Sequence, residues 1–100
     1  MLWAVYCVDR ADTAEARAEH LTVHREYLDQ FKSRIFFSGP LQNDDASVAL
    51  GSLFILNVPA RGGAEDFISN EPFYKAGIFE KILIYRMRKG RYNSDLVDIV

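Results

Sequence analysis

The chain predicts an α+β fold with its elements in the order βαββαβ, and three observations carry that prediction. Four runs are dense in β-branched and aromatic residues. Two intervening stretches, one long and one short, repeat apolar residues at helical rather than alternating spacing. Gly, Pro and Asn/Asp clusters punctuate the segments. With 100 residues and 49% hydrophobic content the chain makes one domain with a core, although so small a domain buries little surface alone and gains from a partner subunit.

Leu2 to Val8 is a nearly continuous apolar run, the mark of a strand covered on both faces. It lacks a basic flank and a small-residue cleavage site and meets Asp9 and Arg10 at once, so it reads as neither signal peptide nor membrane span. Cys7 is the one cysteine. It cannot form an internal disulfide, which suits a reducing cytoplasm, and its apolar strand argues for inert packing.

Helix one is predicted from Thr13 to Lys32. Asp12 or Thr13 can cap it, Glu15 lies in its first turn, and Lys32 and Arg34 lie near its end. Ala14, Ala18, Leu21, Leu28 and Phe31 form its apolar stripe. His24 falls between Leu21 and Leu28 on that face and should point toward the core. A buried imidazole needs hydrogen-bond partners, since leaving a polar group without them costs roughly 1–3 kcal/mol. His20, one turn before His24, sits at the stripe's edge as half of a metal pair or as plain surface. Glu15, Glu19 and Glu26 read as a solvated face rather than as paired catalytic carboxylates.

Arg34 to Ser38 reads as strand two, ended by Gly39-Pro40, and Gln42 to Ser47 as a polar hairpin loop around Asn43-Asp44-Asp45. Val48 to Val58 is strand three. Gly51-Ser52 inside it suggests a bulge, or the close approach of another backbone or a ligand, with the bulge favoured. Gly62-Gly63 lacks the spacing of a phosphate cradle and reads as loop. A short second helix, Ala64 to Ile68, ends at Asn70-Glu71-Pro72, because the residue before a proline is pushed toward extended backbone. Ala76-Gly77 turns the chain into strand four, Phe79 to Met87. These residues, 1–87, form the domain, and 88–100 form a C-terminal extension whose apolar end, Leu96 to Val100, is expected to dock on the body or on a partner.

A net charge of −2 provides no basic field, so the Arg86 to Arg91 cluster beside Tyr92 reads as an exposed strand end and nucleic acid is not an expected partner. Right-handed crossovers through the two helices give a ferredoxin-like sandwich with both helices on one sheet face. That leaves a bare apolar face, best hidden by a second copy in a two-fold homodimer.

Several short motifs occur in a specific order: Met1-Leu2-Trp3, His24 three residues before Tyr27-Leu28, Ser38-Gly39-Pro40-Leu41, the Asp44-Asp45 loop, Gly51-Ser52, and Glu71-Pro72-Phe73 followed by Ala76-Gly77. With them, residues 1–87 resemble the YciI-like (YCII-related) family. The resemblance implies a ferredoxin-like fold of the dimeric α/β-barrel type, related to muconolactone isomerase. It also implies a site pairing the histidine at His24 with a carboxylate before the Pro-Phe pair. Here that carboxylate is Glu71 where the family carries aspartate, and the family's basic residue three positions before the histidine is Leu21.

A carboxylate beside a histidine fixes its tautomer and stabilises the imidazolium, which suits proton transfer near the ring's ordinary pKa of about 6.5. His24 is therefore the expected base and Glu71 its first-choice partner, with Asp44 or Asp45 second. Ser38, Ser52 and Tyr27 are hydroxyls able to hold a substrate oxygen. No protease-like triad or Cys/His cluster is present, so no metal site and no cofactor are expected. Two functions fit: a small cofactor-free lyase or isomerase acting on an aromatic or enolisable small molecule, or a noncatalytic ligand-binding module with the same fold.

Overall fold

Strand β1 (Leu2–Asp9) lies inside a four-stranded antiparallel sheet. It pairs with β3 (Ala49–Asn57) on one side and β4 (Phe79–Met87) on the other, and β2 (Ile35–Gln42) forms the edge beyond β3, giving the order β2-β3-β1-β4. The computed structural model describes residues 1–96. Between the strands lie α1 (Ala14–Glu19), α2 (Leu21–Gln30), α3 (Arg61–Ser69) and a single-turn α4 (Pro72–Lys75). The fold is ferredoxin-like α+β, and all four helices cover one face of the sheet.

Alternation along the strands decides which face that is. Val5 and Cys7 are fully buried while Tyr6 between them is 41% exposed. Register places Val5 beside Phe54 and Ile84, so β3 and β4 turn those residues the same way, onto Ala64, Phe67 and Ile68 of α3 and Phe73 of α4. The other face is apolar and uncovered: Phe37, Tyr85 and Met87 stand 65%, 62% and 43% exposed beside Tyr6.

Four expectations need correction. The first helix is not continuous, because His20 adopts φ −101°, ψ 9° and bends the chain between α1 and α2. The inward residues of α1 are accordingly Ala16 and Arg17, with Ala14 and Ala18 exposed. Strand β2 does not stop at Gly39-Pro40 but runs on to Gln42, which an edge strand tolerates because its outer side needs no donor. Gly62 and Gly63 lie inside α3, where a Cβ on Gly63 would sit 3.1 Å from the Cβ of Val58. Pro72 opens a new helix rather than only closing the last one.

At Gly51 the sheet shows two of the expected alternatives together. The β2–β3 register shifts between Leu41 and Gln42, and a Cβ on Gly51 would stand 2.1 Å from the Cys7 carbonyl oxygen, so β1 approaches too closely for any side chain. In the C-terminal extension Tyr92 packs against Phe36, with ring centroids 5.5 Å apart, and Leu96 is 79% exposed. The rest of the expected docking segment, residues 97–100, lies outside the described residues.

Candidate active site

Helix α4 begins where the chain turns out of α3, and its first residues build the site. Glu71 precedes a proline and takes extended backbone, φ −72° and ψ 132°, with Pro72 preset for the first helical position. Its side chain then caps α4: Oε2 accepts the N–H of Phe73 at 2.9 Å and of Tyr74 at 3.2 Å. The other oxygen, Oε1, pairs with Nδ1 of His24 from α2. Glu71 is 0% exposed, so this ion is removed from water and satisfied on both oxygens.

The contact orients the ring. A carboxylate only accepts, so the short contact places the proton on Nδ1 and makes Nε2 the lone-pair nitrogen when the ring is neutral. Among the described residues Nε2 has no hydrogen-bond partner, yet it is not among the buried unpartnered atoms, so it keeps solvent contact. Phe73 stacks flat on the imidazole, centroids 3.9 Å apart at 4°, and holds it from behind. His24, Ser38 and Ser52 line a pocket of about 290 Å³ between α2 and the β2–β3 edge.

Arg17 shares that pocket, and sequence reasoning missed it. Its Nε donates to Asp9 Oδ2 at 2.6 Å, and its Nη2 to Asp9 Oδ1 at 3.0 Å, the Gly51 carbonyl at 2.9 Å and Ser52 Oγ at 3.0 Å. The guanidinium also lies 4.9 Å from the Phe73 ring centroid. Among the described residues nothing accepts from Nη1, which, like Nε2 of His24, keeps solvent contact. The available signal was spacing: Arg17 precedes His24 by seven residues, two helical turns, on the same side.

The remaining expected site residues sit elsewhere. Tyr27 donates its hydroxyl to the Phe67 carbonyl at 2.7 Å and lines a different cavity. Burial and then the Glu71 charge push its phenol up to about 12. Asp44 and Asp45 lie in the exposed β2–β3 turn and line a shallow depression with Leu50, apart from His24. The Asp45 carboxyl is held below the usual range because it accepts from the hydroxyl and the backbone N–H of Ser47. The described residues contain no cluster of three or more His, Cys, Asp or Glu able to hold a metal ion, at His20 or elsewhere. Cys7 lies under the site with its thiol pushed up to about 12, first by burial and then by Glu71 and Asp9, so it is protonated and inert. No helix among the described residues is long and apolar enough to cross a membrane.

With this geometry established, comparison with known proteins identifies relatives. Residues 1–88 match the YCII-related domain. A solved structure similar to this one is 5-chloro-2-hydroxyhydroquinone dehydrochlorinase (TftG) from Burkholderia phenoliruptrix AC1100, in complex with 2,5-dihydroxybenzoquinone. The match has 29% identity and a TM-score of 0.83, over 90% of this chain and 96% of that one. The Arabidopsis thaliana protein At3g17210 matches over 98% of both chains at 10% identity and a TM-score of 0.44, too low to carry an argument. No curated protein sequence matches.

Proposed function

Since the chain belongs to the YCII-related family, we propose that it is a small lyase or isomerase that moves a proton on a polyhydroxylated aromatic or enolisable small molecule, with His24 as base and Glu71 as its fixed partner. The observation that carries this is the single free nitrogen of His24. A buried carboxylate anchors one side of the ring, and the other side opens to a pocket that also contains an uncommitted guanidinium edge. The likeness to a dehydrochlorinase with a quinone in its complex supports an aromatic substrate with a leaving group.

On such a ring the chemistry balances without an oxidant. A ring hydroxyl tautomerises, its proton moving to the carbon that bears the leaving group. Nε2 of His24 then takes the proton of a second hydroxyl, whose O–H electrons become the new carbonyl π bond. The displaced electrons flow through the ring and the leaving group departs with the pair of its own bond. The sum is loss of one proton and one anion. Arg17 stabilises the oxyanion that forms before departure, through Nη1, while Asp9 holds its other edge. Ser52 and Ser38 place substrate oxygens. Without a leaving group, returning the proton to another carbon makes the same machinery an isomerase.

The bare sheet face supports a homodimer of this unit, and a chain with one buried, protonated cysteine suits a reducing cytoplasm. The test of the reaction is turnover of halogenated hydroquinones, followed by the quinone's absorbance, in the wild type and in His24→Asn. The reading expects the variant to keep its circular dichroism and lose at least about a hundredfold in kcat/KM, the lower range of general-base contributions. Equal turnover in both proteins would overturn the assignment of His24. Absence of turnover with retained, His24-dependent binding of 2,5-dihydroxybenzoquinone would favour the noncatalytic module.

A further inference from the structure

A second cavity of the protomer is larger than the one at His24. It has a volume of about 500 Å³, lies between the C-terminal end of α2 and α3, and shares no lining residue with the His24 pocket. Small-molecule sites typically span roughly 300–1,000 Å³, so it is well inside that range and the His24 pocket is at the lower edge. The two are separated by packed aromatic rings: Phe54 lines the His24 pocket, Phe67 lines the larger cavity, and their centroids stand 5.2 Å apart, edge to face.

We infer that this cavity is a second ligand site, for a flat aromatic carboxylate that also bears a hydroxyl. The aromatic part is set by its wall. Tyr27, Phe31 and Phe67 form a mutually packed group with centroids 4.8–5.5 Å apart, and Tyr27 is immobilised because its hydroxyl is bonded to the Phe67 carbonyl. Such a rigid wall stacks a planar ring at little entropic cost. The carboxylate part is set by Arg34. Its guanidinium is held 5.5 Å from the Phe31 ring centroid, against the wall, and has no carboxylate partner among the described residues. A planar fork held this way matches a carboxylate with two parallel hydrogen bonds. Asp66, also in the lining, is an acceptor for a hydroxyl, and Gln30 can donate or accept. Arg17 and His24 take no part, so this site is distinct from the proposed catalytic one.

The probe is 4-hydroxybenzoate, titrated into uniformly 15N-labelled full-length protein and followed by amide chemical shifts, with 4-hydroxybenzamide as the uncharged control. The expected result is saturable shifts at Gln30, Arg34, Gly63, Asp66 and Asn70. Arg34→Gln should weaken binding at least tenfold and the benzamide should bind no better than that variant. His24→Asn should leave these shifts unchanged. The inference is overturned if the shifts map to Arg17, His24, Ser38 and Ser52 and vanish in His24→Asn. It is equally overturned if nothing saturates by 10 mM probe (about −2.7 kcal/mol, by the affinity scale), or if Arg34→Gln binds like the wild type while its spectrum shows an intact fold.

Discussion

Replacing Glu71 by glutamine separates what this residue does for the fold from what it does for the histidine. Its Oε2 accepts two backbone N–H groups of α4, so in Glu71→Gln the amide oxygen has to stay there, and the amide NH2 is turned toward His24. A donor now faces Nδ1. The ring can meet it only by presenting a lone pair at Nδ1 and carrying its proton on Nε2, where the base should be. For stability, three charge-assisted bonds become neutral ones, a loss of about 1 kcal/mol each. Removing the charge also removes the cost of burying a carboxylate at 0% exposure, itself several kcal/mol. The two nearly offset, and Glu71→Gln should lie within about 2 kcal/mol of the wild type. Catalysis should fall by roughly 10²–10⁴, the worth of a general base. Glu71→Ala is the contrasting case, because it strands Nδ1 and both amides, and it should cost about 3–5 kcal/mol.

Long-range 1H–15N spectra of the imidazole report the tautomer directly, in alkaline buffer and with no substrate needed. The wild type should show a pyridine-like Nε2 and Glu71→Gln a pyrrole-like one. If the tautomer stays the same in the variant, or if it flips and turnover does not fall, then Glu71 does not set the state of the base.

Other expected outcomes follow from the same contacts. Arg17→Met leaves Asp9, whose side chain is 3% exposed, as an unpaired buried carboxylate, and urea unfolding should show a loss of about 3–5 kcal/mol. An unchanged midpoint would mean that water replaces the arginine. Because the folded Cys7 thiol titrates near 12 against an ordinary 9.0, the unfolded chain gives up that proton first. Stability from this group is therefore complete below about pH 9 and falls by about 1.4 kcal/mol per pH unit above it; Cys7→Ala should flatten the alkaline slope in a melting-temperature series. Ala46 sits at φ +61° in the β2–β3 turn, so Ala46→Gly should stabilise by up to about 1 kcal/mol, or roughly 4–8 °C, in calorimetry. Tyr85→Glu on the bare sheet face should yield monomers in light scattering, and a wild type already monomeric at micromolar concentration would remove the dimer proposal.

How much of this was legible in the sequence depends on which physical signal each residue carries. The strands were legible because β-branched and aromatic runs have no other stable use: β4 runs from Phe79 to Met87 as read. His24 was legible because a polar ring in an apolar stripe demands a partner, and Glu71 as that partner only through the resemblance of Glu71-Pro72-Phe73 to the family's motif. Arg17 was not, since an apolar stripe is drawn through Ala14 and Ala18 and passes over a guanidinium, although helical spacing puts Arg17 on the same side as His24. What holds the charge there is Asp9, at the end of β1, and that pairing joins residues eight apart whose proximity only the fold creates. Gly62-Gly63 misled for the opposite reason: glycine's low helix propensity is overridden where α3 has to lie against Val58. The Asp44-Asp45 stretch read by composition as a hairpin loop, with its carboxylates second choice for His24, and the Asp45 carboxylate accepts from Ser47 of that same loop.

The construction of the site also bears on where its selectivity resides. The proton-handling side is bonded to the cap of α4, so turning Glu71 away would unwind that helix. The cationic side is bonded to the end of β1 and to the Gly51 carbonyl at the bulge. Phe73, 1% exposed, packs against His24 and Arg17 and joins the two halves to the core. Moving any of these groups breaks contacts that hold the fold. The remaining wall is different: Ser38, Gly39 and Pro40 lie on edge strand β2, and Leu21 and Arg25 are exposed on α2. Side chains there change at little cost to stability. On the proposed reading the chemistry is therefore tied to the fold, and the choice of substrate falls to the edge strand and the outer turn of α2.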